Sequence, residues 1–131
     1  MNKQFTVEEI VSALKRMNPT KAPSPDGAHT LFFQHYWEGL KDEFMSICME
    51  ILNEGKDMGP INNSFIALIP KTRNPKRMEE YIPISQCNVV YKVVAKVIAH
   101  RLKKVLDQII SQTQSAFVPG RLITDNVVVG F

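Results

Sequence analysis

Two cysteines in 131 residues, Cys48 and Cys87, stand far apart and in no CxxC spacing. That scarcity excludes a disulfide framework and a cysteine metal knuckle, and reads as two buried thiols in a reducing compartment. Long apolar runs are missing as well. The longest, Phe65 to Ile69, is five residues, too short to span a bilayer, and Met1-Asn2-Lys3-Gln4 leads into no apolar stretch of a secretory signal. An intracellular chain without a transmembrane segment is expected, so the acceptor triplet Asn62-Asn63-Ser64 carries no glycosylation weight.

The recurrent catalytic signatures are absent too: there is no GxxxxGK loop, HExxH helix, GxSxG elbow or GxGxxG turn. His29, His35 and His100 have no ligand spacing to each other or to a carboxylate. Glu8-Glu9, Asp42-Glu43 and Glu79-Glu80 are adjacent pairs, which on a helix face different directions and serve solubility rather than acid/base work.

What is present suits one small domain, or part of one, with 44% apolar, 22% charged and 8% aromatic residues. The net charge of +3 is unevenly spread. Residues 1 to 65 hold 6 Lys/Arg against 9 Asp/Glu, a net of −3, while residues 66 to 131 hold 10 against 4, a net of +6. The back half is where a polyanion would be met.

No internal repeat or low-complexity tract occurs, and Pro and Gly punctuate a string of elements. Thr6 with Glu9 three residues on is a capping box, and Val7, Ile10, Val11, Leu14 and Met17 follow at helical spacing, predicting a helix over 7–17 that ends at Asn18-Pro19. An ordered loop over 18–27 closes on Pro25-Asp26-Gly27, where Pro presets φ, Asp bonds its own backbone and Gly accepts a positive φ. Phe33, Trp37, Leu40, Phe44, Ile47, Cys48 and Ile51 form the core stripe of one long helix or two broken near Gly39, with Gly55 as C-terminal cap.

Phe65 to Ile69 reads as a buried strand, and residues 71 to 80, with four basic side chains and Pro75, lead to an extended piece at Ile82 to Gln86. Residues 64–86 are thus expected to form an irregular hairpin with a basic tip. A helix over 88–110 carries Val90, Val94, Val97, Ile98, Leu102, Val105 and Ile109 on one side. Lys92, Lys96 and Lys103 fall within about 40° of one another on the other. Ser111 to Gly120 reads as a polar loop, and Thr124-Asp125 is expected to cap a last helix cut off by the chain end at Phe131.

The basic and Gly/Pro-containing loops, Lys21 to Gly27, Lys71-Thr72-Arg73 and Phe117 to Arg121, suit phosphate oxygens, since an Arg after Gly on a rigid turn offers charge and a bidentate fork beside exposed amides. These loops and their order resemble the reverse transcriptases of non-LTR (LINE-type) retrotransposons of the plant type. The matching phrases are Lys21-Ala22-Pro23-Ser24-Pro25-Asp26-Gly27, Phe65-Ile66-Ala67-Leu68-Ile69-Pro70-Lys71, Pro83-Ile84-Ser85, Cys87-Asn88-Val89-Val90-Tyr91-Lys92 and Gln114-Ser115-Ala116-Phe117-Val118-Pro119-Gly120-Arg121.

The resemblance implies an α+β, mainly helical fold, the fingers and start of the palm of a right-hand polymerase, incomplete because the palm phrases with the catalytic aspartates lie downstream of Phe131. Residues 18–27 would be the loop before the fingers, 64–86 the fingers hairpin, 88–110 a helix and 111–121 the Gly-Arg loop. By the same resemblance Lys21, Lys71, Arg73, Lys92, Lys96, Lys103, Gly120 and Arg121 would contact RNA template or RNA–DNA hybrid. Mg²⁺ belongs to the parent enzyme, no cofactor to this chain, and Asp125 matches neither aspartate phrase, so the chain alone is expected to be inactive. Ser24 stands where the family usually has Gly, Ile82 where it has the Arg that meets nucleotide phosphates, and Gln86 where it has Leu. A stand-alone nucleic-acid-binding module and a non-functional retroelement relic are the alternatives.

Overall fold

The computed structural model describes residues 3–20 and 23–110. The chain divides into two compact units, Met1–Val97 and Ile98–Phe131. In order, the elements are α1 (Val7–Lys15), α2 (Thr30–His35), α3 (Trp37–Glu54), β1 (Phe65–Pro70), β2 (Tyr81–Gln86), α4 (Val89–Lys103) and α5 (Leu106–Ile109), with short 3₁₀ turns at Gly59–Ile61 and Met78–Glu80.

The core of the first unit is made by three helices. α1 supplies Ile10, Ala13 and Leu14, α3 supplies Phe44 and Cys48, and α4 supplies Val89, Val90, Val93, Val94 and Val97. Each set follows the three- and four-residue spacing that puts side chains on one helical stripe. Phe33 and Trp37 close the stripe from outside, their rings 5.4 Å and 5.9 Å from that of Phe44. The aromatic stripe read from the sequence is therefore core, as expected, whereas the exposed rings of Phe32 and Tyr36 meet at a tilt, 5.1 Å apart.

Both ends of α1 are closed by side chains. The Glu9 carboxylate accepts the Thr6 N–H at 3.0 Å, the reciprocal arm of the expected capping box. At the other end, Gln34 Nε2 donates to the carbonyls of Leu14 (2.9 Å) and Met17 (3.1 Å), and Lys96 Nζ donates to the carbonyl of Arg16 (2.8 Å). The last carbonyls of a helix lack partners along the chain and carry its negative end, so an amide and a cation suit them. Two segments distant in sequence are thereby bonded to one helix terminus. Asn53 holds the segment leading into α1, accepting from Phe5 N–H at 2.8 Å and donating to its carbonyl at 3.2 Å.

The loop before α2 is built as its residues dictate. Gly27 N–H donates to the Ser24 carbonyl (2.9 Å), Ser24 N–H to the Ala28 carbonyl (2.9 Å) and Ala28 N–H to Asp26 Oδ1 (3.0 Å), with Gly27 at φ +81°. Ser24 itself is 2% exposed, and its Oγ has no hydrogen-bond partner. A buried hydroxyl without a partner costs its desolvation. Ser24→Ala is accordingly expected to raise stability by about 1 kcal/mol, read as a higher urea midpoint at unchanged slope; a lower midpoint would contradict it.

The long amphipathic segment is two helices, with the break at Tyr36 (φ −94°, ψ 24°) close to Gly39, which lies in the first turn of α3. Two expectations are corrected. The helix expected over 88–110 ends at Lys103. Lys104 and Val105 bond back to Arg101 and Leu102 in tight three-residue steps (3.2 and 3.0 Å) before α5 begins. The strand expected to be buried is exposed: Phe65 and Ile66 show 64% and 69% of their surface, and among the described residues β1 pairs only with β2. Gly55 ends α3 in left-handed geometry at φ +70°, as its place in the sequence predicts.

Candidate nucleic-acid interface

β1 and β2 form a regular antiparallel ladder from Phe65↔Gln86 to Pro70↔Tyr81. Lys71 N–H extends it by donating to the Glu80 carbonyl at 2.7 Å. At the tip, residues 71 to 80 return through the 3₁₀ turn Met78–Glu80 and carry Lys71, Arg73, Lys76 and Arg77, all exposed. Lys71 Nζ donates to the Glu79 carbonyl at 2.9 Å, and Glu80 Oε2 accepts the N–H of Lys76 at 2.5 Å and of Arg77 at 3.4 Å. Four exposed cations within seven residues, two of them guanidinium forks, thus stand on a hydrogen-bonded loop, with the Lys71 ammonium held at the Glu79 carbonyl.

Of the cations nominated from sequence, the structure places Lys71 and Arg73 together on this tip. Lys76 and Arg77, in the same basic stretch but outside the phrase Lys71-Thr72-Arg73, complete the cluster. The three α4 lysines differ in setting: Lys96 Nζ donates to the Arg16 carbonyl at 2.8 Å beyond the end of α1, Lys92 is half-buried, and Lys103 is exposed. Lys21, Gly120 and Arg121, with the 111–121 loop and the capping pair Thr124-Asp125, lie outside the described residues.

Two ion pairs lie away from the tip. Lys41 pairs with Glu38 at 2.9 Å, which holds that carboxyl below its ordinary value and the ammonium above its own, and Lys56 pairs with Glu50, which also accepts from Ser46 Oγ at 2.9 Å. Both are surface pairs of small energetic weight. Burial pushes the Cys48 thiol up to about 12, the behaviour of a core side chain rather than of a thiolate ligand. Among the described residues no three His, Cys, Asp or Glu side chains come close enough to hold a metal ion. No helix among them is long and apolar enough to cross a membrane. Ile82, paired with Ile69 and exposed on β2, puts an alkyl group where the resemblance expects an arginine.

A small α+β unit with an exposed, cation-tipped hairpin is thus the class that fold and site define. No protein-family model matches the chain. Over 123 residues, 94% of its length, it is 36% identical to the Transposon TX1 uncharacterized 149 kDa protein of Xenopus laevis. The chain spans about 9% of the length of that relative. This likeness supports descent from a transposon-encoded protein.

Proposed function

We propose that this stretch is the fingers-side, template-contacting part of an RNA-directed DNA polymerase of a non-LTR retrotransposon. The observation that carries the proposal is the ordered tip bearing Lys71, Arg73, Lys76 and Arg77, in a chain similar along nearly all its length to a transposon protein. Cations on a hydrogen-bonded turn meet phosphates with little ordering cost and without regard to base identity, which a polymerase that copies any template requires. The polymerase class implies Mg²⁺. The described residues do not fit it, since they gather no ligand set, and no step through a metal is assigned to them. The contribution of this stretch is positioning of template backbone.

The test is a salt series of binding to single-stranded RNA and to an RNA–DNA hybrid. If the four tip cations each neutralise a phosphate, log K falls against log salt with a slope of about −3 on single strands. A slope near zero, or no affinity at low ionic strength, would overturn the reading.

A further inference from the structure

We propose that Glu80 is a positioning residue for the cationic tip, an inference that rests on the reading of that tip as a polyanion contact. By charge alone Glu80 is misplaced, since a carboxylate among Lys71, Arg73, Lys76 and Arg77 repels the phosphates they would meet. Its hydrogen bonds give it another role. Its carbonyl accepts the Lys71 N–H at 2.7 Å on the outgoing side of the tip. Its Oε2 accepts the Lys76 N–H at 2.5 Å and the Arg77 N–H at 3.4 Å on the returning side. One residue thereby joins three of the four cation-bearing positions, and the neighbouring Glu79 carbonyl holds the Lys71 ammonium at 2.9 Å.

The arrangement is the side-chain arm of a capping box, in which the third residue of a helical turn reaches back to the amide of the residue that opens it, here Glu80 to Arg77 before Met78–Glu80. Partly exposed and screened by salt, the carboxylate repels phosphate only weakly. The bonds act on backbone order, and a loop held in one conformation before binding loses less freedom when it binds. Positioning therefore outweighs repulsion.

Glu80→Ala and Glu80→Gln separate the two effects, because both remove the charge and only Gln keeps an oxygen that accepts the amides. In the full chain, with a labelled single-stranded RNA oligonucleotide at moderate salt, E80A is expected to bind about three- to tenfold more weakly although it is one unit more positive. E80Q is expected to bind at least as tightly as the wild type. Hydrogen exchange at the Lys76 and Arg77 amides should accelerate in E80A and stay slow in E80Q. E80A binding as tightly as E80Q, with those amides still protected, would overturn the proposal while leaving the tip intact as a contact. A wild-type chain without salt-sensitive affinity would remove the reading of the tip and the proposal together.

Discussion

Phe44→Ala is expected to remove about 3–5 kcal/mol of stability, the cost of emptying an aromatic-sized site in a core that can only partly collapse. Phe44 is 4% exposed and lies between the rings of Phe33 and Trp37 on one side and the buried stripe of α1, α3 and α4 on the other. Domains of this size have about 5–15 kcal/mol in total, so the variant would lose much of its cooperative transition. Phe32→Ala is the matched control. That ring is 46% exposed, and its removal should cost no more than about 1 kcal/mol. Urea unfolding followed by circular dichroism distinguishes the two; equal midpoints for F44A and F32A would mean that the cluster of α1, α3 and α4 is not the core that holds the protein together.

The helices of the first unit were legible because each signal is local. Thr6 and Glu9 are three residues apart, the stripes repeat at three and four, and Gly55 needs only its own positive φ to end α3. The turn at Pro25-Asp26-Gly27 was legible for the same reason. What periodicity could not supply was the fate of faces. Phe65 to Ile69 has the composition of a buried strand, and composition cannot tell a covered sheet from an uncovered one. Likewise Lys92, Lys96 and Lys103 share an angular sector by arithmetic, but Lys96 is drawn to the Arg16 carbonyl, 80 residues away in sequence. Long-range bonds of this kind have no signature in a single chain.

The tip shows the converse. Its basicity was legible, while its construction was not, since no pattern announces that Glu80 bonds the amides of Lys76 and Arg77. Of the pair Glu79-Glu80, the Glu80 carboxylate does more than solubilise, since it accepts two loop amides, while Glu79 contributes its backbone carbonyl to the Lys71 ammonium. Charge counted along the sequence treats the acid as subtraction. The structure makes it part of how the bases are presented.

Removing three of those bases together, Arg73→Ala, Lys76→Ala and Arg77→Ala, is expected to weaken RNA binding by about 10- to 100-fold near physiological salt and to make the salt slope shallower by about 2, as the loss of three phosphate contacts on a single strand requires. Stability should hardly change, because all three side chains are exposed and the core cluster includes no hairpin residue. Net charge offers a rival explanation, so the control removes the same three units elsewhere. Lys15→Ala, Lys41→Ala and Lys56→Ala strip cations from the acidic front of the chain, two of them already paired with Glu38 and Glu50. If position governs binding, this control lowers affinity severalfold less than the tip variant and leaves the slope nearly intact. Equal losses from both would reduce the tip to a share of a diffuse positive field, with no claim to be the place where template backbone is held.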